Sequence, residues 1–247
     1  MKWNFNKFRV FITGSSSGLG FGLAKNFLEN NAEVIINGRN PSKLHKASIM
    51  LKNCNYIKGD VSNKKDIKKI KNFLKKKNNA IDLMICNVGD SEYKNNNLNF
   101  ENAFKSNFFS TVNSVEMLAP LIKKNGKILC ISSICGSEVI DGAPIGYSIA
   151  KSAVNNYVKS ISYELGKKNI SINSIAPGNL YFKNSTWEKK LNKNKLKTLR
   201  YIKNNVVLNR FGNIDDIFNL IAYLSSSKTK FVTGSTFVID GGQIKKF

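Results

Sequence analysis

A chain of 247 residues is long enough to bury the core of one α/β domain, and a single catalytic domain over 1–247 is the expectation. Its 39 Lys and Arg against 16 Asp and Glu give a formal charge of +23, which invites a nucleic-acid reading. Composition otherwise excludes more than it admits: one histidine, His45, rules out a Ser/His triad unless that residue serves, and no apolar segment is long enough for a signal peptide or a membrane span.

Taken in chain order, short β-branched runs alternate with helical patterns. Strands are predicted at "RVFIT", "EVIIN", "NYIK", "DLMICN", "KILCIS", "SINSIA" and "TFVID". Between them lie amphipathic segments, among them "GLAKNFLEN", "DIKKIKNFL", "NAFKSNFFSTVNSVEMLAPLIKK" and "YSIAKSAVNNYVKSISYELGKK". This alternation predicts a doubly wound, Rossmann-type α/β fold, a parallel sheet of about seven strands with helices on both faces, whose ligands bind beyond the carboxyl ends of the strands. The densest basic run, "NKKDIKKIKNFLKKKNN", places Ile67, Ile70 and Leu74 at helical spacing with lysines between them. It reads as a helix with one core face and one solvated face, without the interleaved aromatics that base stacking requires, so nucleic acid is not the expected partner. The stretch 180–207 has many lysines and no strand pattern, and is read as a helical excursion beside the sheet, a substrate lid or a solvated insertion. Cys54, Cys86, Cys130 and Cys135 lack CxxC spacing and read as buried thiols of a reducing compartment, consistent with a cytoplasmic protein.

Motifs follow the strand ends. After the first strand, "TGSSSGLG" (Gly14, Ser15, Ser17, Gly18, Leu19 and Gly20) turns into a helix, where glycines admit a pyrophosphate and free amides favour it, although tight turns also need glycine. The second strand ends "NGRN", with Arg39 where binders of NAD place an acid. A guanidinium there suits the 2'-phosphate of NADP(H), with NAD(H) the lesser candidate. Asp60 and Val61 of "GDV" could meet an adenine, and Asn87 and Gly89 of "CNVG" could brace backbone near a ribose. In "YSIAK", Tyr147 and Lys151 lie four apart and share a helix face, so that both can reach one pocket. A cation beside a phenol lowers its pKa from about 10 and prepares it for proton transfer.

The succession "TGSSSGLG", "GDV", "CNVG", "SSICG", "YSIAK", "NSIAPG" and "VTGSTFVIDGG", from about Val10 to Gly242, resembles the compact single-domain branch of the short-chain dehydrogenase/reductases and is similar to 3-oxoacyl-carrier-protein reductases. The resemblance implies an oxidoreductase that interconverts a carbonyl and an alcohol by hydride transfer, without a metal. It assigns Tyr147 as general acid/base, Lys151 as its partner and a ribose ligand, Ser133 (with Ser132 the competitor) as the group orienting the substrate oxygen, and Asn107 as the holder of a water leading to the lysine. It also places Pro177 and Gly178 against the cofactor. Three departures stand out: Cys86 replaces an asparagine, Ser17 stands where relatives preferring NADP often carry a basic residue, and Phe182 stands near a customary threonine, so that either Ser185 or Thr186 substitutes or the contact is absent.

The implied substrates are a small-molecule or carrier-bound carbonyl compound, either a 3-oxoacyl thioester or a sugar or polyol intermediate. A homo-oligomer, tetramer or dimer, is expected through the helices around residues 100 to 124 and 147 to 168 and the C-terminal segment. The alternative from another class is a non-catalytic dinucleotide-sensing or nucleic-acid-binding protein on the same fold.

Overall fold

The structure is a computed structural model that describes residues 3–52, 54–76, 80–90 and 99–245. All seven predicted strands form: β1 (Arg9–Ile12), β2 (Glu33–Gly38), β3 (Asn55–Lys58), β4 (Ile81–Cys86), β5 (Ile122–Ile131), β6 (Ser171–Pro177) and β7 (Thr236–Ile239). They make one sheet in the order β3-β2-β1-β4-β5-β6-β7, with every pairing parallel.

Period-two alternation divides the strand side chains between two cores. Val10, Ile12, Val34, Ile36, Leu83, Ile85, Leu129 and Ile131 join one, while Phe11, Ile35, Met84, Cys86, Ile128 and Cys130 join the other. The first core is covered by α1 (Gly18–Glu29), α2 (Pro41–Met50) and α9 (Ile214–Ser225), and the second by α3 (Lys64–Lys76), α5 (Ser110–Leu118) and α6 (Ile145–Gly166). Both faces of the central strands are thereby dry, which is why they read as nearly continuous apolar runs, whereas the edge strands β3 and β7 stay largely exposed. Helix α3 keeps its predicted stripe, with Ile67, Ile70 and Leu74 buried and Lys75 and Lys76 in the last turn, where cations suit the helix dipole. The last three residues of the basic run that contains it lie outside the described residues.

The segment read as one helix over 102–124 is four pieces. α4 (Phe100–Ala103) passes into a π-helical turn (Phe104–Phe109), then α5, then a 3-10 turn (Ala119–Leu121), and Ile122 already belongs to β5. Pro120 cannot donate the next helical hydrogen bond, so the apolar spacing of "LIKK" continues as strand rather than helix. The remaining helices, α7 (Thr186–Lys193) and α8 (Lys195–Asn205), are built from the excursion after β6. Its neck is stitched on both sides: Tyr181 N–H donates to Gly212 O at 2.8 Å and Gly212 N–H to Asn179 O at 3.0 Å. Among the described residues no helix is long and apolar enough to cross a membrane.

Candidate active site

With β1 and β4 adjacent, the chain reverses direction across the sheet at their carboxyl ends, and a crevice opens there. A cleft of about 630 Å³ runs along the carboxyl ends of β1 to β6 and collects the motifs that follow those strands. Gly14, Ser17, Gly18, Leu19, Arg39, Asp60, Val61, Asn87, Gly89, Ser133, Tyr147, Lys151, Pro177 and Gly178 all line it.

The glycine turn is held from beneath. Asn87 Nδ2 donates to Thr13 O at 3.1 Å and Gly14 O at 3.0 Å, and Asn87 N–H donates to Thr13 Oγ1 at 3.0 Å. Gly20 is buried rather than exposed to the cleft: a Cβ there would lie 2.5 Å from Asn87 Nδ2 and 2.7 Å from Gly14 O. Gly18 has φ +61°, a left-handed conformation that glycine tolerates. The Ser15 side chain is turned beneath the glycine turn: its Oγ donates to Ile12 O at 2.7 Å and accepts from Asn37 N–H at 2.9 Å. Ser16, one residue on, lines the cleft instead. The amides at the start of α1 and the absent side chains fit the phosphates of a dinucleotide.

At the end of the cleft near Arg39, Asn37 is a brace. Its Nδ2 donates to Ile57 O at 3.0 Å and Gly59 O at 3.1 Å, tying β2 to the turn that carries Asp60. Arg39 is exposed and approaches Asp60 Oδ2 at 3.8 Å. Such a loose surface pair leaves the guanidinium available to an anion.

The chemistry-bearing side chains gather at the other end. Lys151 falls on the buried stripe of α6 and is only 3% exposed. Its Nζ donates to Ile131 O at 2.8 Å and lies 5.7 Å from the centre of the Tyr147 ring. Burial pushes its pKa down to about 8, against smaller opposing effects of the Cys130 and Cys135 thiols. The two serines, which both line the cleft, differ in their partners. Ser132 Oγ donates to the Lys151 backbone carbonyl at 3.2 Å, whereas Ser133 Oγ accepts from Cys135 N–H at 3.2 Å and also lies within hydrogen-bond reach of the Cys135 thiol.

Asn107 sits in the π-helical turn, fully buried behind the cleft wall. Its Nδ2 donates to Asp90 O at 2.9 Å and Ala103 O at 3.0 Å, and its Oδ1 accepts from Asp90 N–H at 3.1 Å. A Cβ at Gly89 would stand 2.8 Å from Asn107 Oδ1 and 2.9 Å from Lys151 Nζ, so glycine lets both groups flank the same backbone. Cys54, Cys86 and Cys130 are buried as expected, but Cys135 is partly exposed and lines the cleft.

Over the cleft lie residues of the excursion: Leu180, Phe182, Ser185, Thr186, Trp187, Lys190 and Tyr201. A Cβ at Gly18 would meet Phe182 at 3.3 Å, so this ring covers the glycine turn. Ser185 caps α7, its Oγ accepting from Glu188 N–H at 3.1 Å, and both Ser185 and Thr186 line the cleft. Asn179, Trp187, Lys190 and Tyr201 were not singled out from sequence; the run of loop residues after "PG" signals that something covers the site, but not which side chains turn inward.

A parallel doubly wound sheet with a braced glycine turn at its switch point places the chain in the Rossmann-type α/β class. The family model described as Enoyl-(Acyl carrier protein) reductase matches residues 14–243. The 3-oxoacyl-[acyl-carrier-protein] reductase FabG of Chlamydia trachomatis is 32% identical over 94% of this chain and 96% of its own, and that of Rickettsia prowazekii 30% identical over 94% and 95%. The chain belongs to the short-chain dehydrogenase/reductase family of oxidoreductases. In fold it is similar to the L-sorbose reductase of Gluconobacter frateurii, with a TM-score of 0.89 and 22% identity over the whole of both chains.

Proposed function

We propose that this protein is an NADP(H)-dependent carbonyl reductase in which Tyr147 exchanges a proton with the substrate oxygen. The observation that carries the reading is the meeting of Tyr147, Ser133 and the buried Lys151 ammonium in one cleft above a glycine turn. The nicotinamide, when bound, supplies or accepts the hydride. Ser133 donates its hydroxyl proton to the substrate oxygen and fixes it within reach of the Tyr147 hydroxyl. Lys151, tethered to the end of β5, favours the phenolate and so makes Tyr147 a better acid. Asn107 is a positioning residue that holds the Gly89–Asp90 backbone beside that ammonium.

Several features support NADP(H). Arg39 stands exposed just past the end of β2, a strand end that carries no acid of its own, and its carboxylate neighbour Asp60 is only loosely paired at 3.8 Å. The similar L-sorbose reductase structure holds NADPH and L-sorbose. Substrates in keeping with the relatives are 3-oxoacyl thioesters, after the FabG proteins, and sugar ketones, after the sorbose enzyme. The excursion over 180–207 acts as the lid. A homo-oligomer is supported by the exposed Phe109, Ile145 and Ile149 on the helices expected to form contacts.

The test is NADPH oxidation followed at 340 nm against 3-oxoacyl thioesters, sugar ketones and small diketones, repeated with NADH. The expected result is turnover of at least one class with NADPH preferred. Failure to bind either dinucleotide contradicts the reading.

A further inference from the structure

The lid end of the cleft carries polar groups that the hydride-transfer chemistry does not use. Asn179, on the loop after β6, is 8% exposed and lines the cleft, and its buried Nδ2 has no hydrogen-bond partner. A buried, unsatisfied donor at a cleft wall is a group prepared for a ligand's acceptor atom. Tyr201 on α8 also lines the cleft. Its hydroxyl oxygen already accepts from Gln243 Nε2 at 3.3 Å, so the hydroxyl proton is directed elsewhere. Burial, then the negative charge of Asp141, raises the pKa of this phenol and keeps it a donor. Lys190 on α7 is the third group, and among the described residues no carboxylate pairs with it.

Trp187 fixes two of these donors. Its ring stacks on Tyr201 with centroids 5.3 Å apart and an interplanar angle of 28°, and Lys190 Nζ lies 4.3 Å from its centre. The same ring also packs on Phe211 at 5.5 Å. Already engaged by three neighbours, it is a clamp rather than an open platform for a sugar ring. Asp141, on the opposite lip, is exposed, and solvent screens its effect on an incoming anion.

We propose that Asn179, Tyr201 and Lys190 form a subsite for an acidic oxygen group, a carboxylate or a phosphate, carried by the substrate away from its reacting carbonyl. This rests on the reductase reading for the reaction, but the subsite itself is defined by donors alone. It narrows the substrate to anionic carbonyl compounds.

Matched pairs test it: oxo acids against their methyl esters, and keto-sugar phosphates against the free keto-sugars. The wild-type protein is expected to prefer the anionic member of at least one pair by about tenfold or more in kcat/KM, the scale of one charge-assisted hydrogen bond. The preferred pair separates the carboxylate from the phosphate source. Lys190→Met, an exposed change, and Tyr201→Phe, which keeps the ring stack, are each expected to collapse that ratio. In parallel, succinate and inorganic phosphate, neither of which reacts, are titrated against tryptophan fluorescence. Saturable change in the wild-type protein that is lost in Lys190→Met supports the subsite even if no carbonyl compound is turned over, in which case the reductase reading is what fails. Equal use of both members of every pair, a ratio unmoved by both variants, or no response to either turnover or probe overturns the proposal.

Discussion

Lys151 carries the clearest physical signature at the scale of single residues. Its ammonium is buried with one backbone acceptor, and its pKa falls from 10.5 to about 8. The folded state therefore binds fewer protons than the unfolded chain between those values, and stability rises with pH across that window. The burial cost, about 3 kcal/mol, is fully present below pH of about 8 and relieved towards 10.5. Lys151→Met is expected to be the more stable protein at pH 7, with an advantage in denaturant titrations that shrinks as pH rises to 10. An advantage independent of pH contradicts the assignment. In catalysis the sign is opposite: a neutral Lys151 no longer favours the phenolate, Tyr147 becomes a weaker acid, and reduction slows above about pH 8. At the other end of the cleft, Arg39→Ala is expected to raise the KM for NADPH about tenfold or more while leaving that for NADH within about twofold, as loss of a phosphate contact requires. Equal effects on both cofactors would place the 2'-phosphate elsewhere.

Among the elements, the braced glycine turn and the stitched neck of the proposed lid bound the cleft. Gly20→Val drives a side chain into the Asn87 amide and the Gly14 carbonyl, and is expected to destabilise the fold by about 1–3 kcal/mol and to abolish measurable dinucleotide binding by calorimetry. At the neck, Asp216 closes a capping box with Asn213 and accepts from both Arg210 Nη atoms, at 2.7 and 2.9 Å. Asp216→Ala removes the fork and half of the box together. Limited trypsin digestion is expected to cut first among the lysines of α7 and α8 in that variant, and unchanged cleavage would show that the neck does not govern the lid. The strands and helices were legible in the sequence because period-two and period-3.6 patterns report burial directly, as Ile67, Ile70 and Leu74 of α3 illustrate. The end of the helix before β5 was not, since a short apolar run fits either period until Pro120 is weighed. Ser15 and Ser16 differ by one residue in a turn whose direction only coordinates define. Asn179, Lys190 and Tyr201 come to line one cleft through the path of the excursion, and no local spacing encodes that placement.

For the molecule as a whole, the charge of +23 is spread through lysines on solvated helix faces such as that of α3 rather than gathered around stacking aromatics. RNA retained at low ionic strength is therefore expected to be released by about 0.2 M salt, without sequence preference. Retention beyond that would revive the alternative of a non-catalytic nucleic-acid-binding protein. The family and the fold extend over nearly the entire chain, so the open question is whether Tyr147 works as the acid/base that its place beside Lys151 suggests. The most direct measurement compares wild type and Tyr147→Phe for NADPH affinity, by fluorescence, and for NADPH oxidation with the best carbonyl substrate. The account predicts affinity within about threefold and turnover reduced by about a thousandfold, the size of a lost general acid. Turnover that survives the substitution at comparable rate would contradict it.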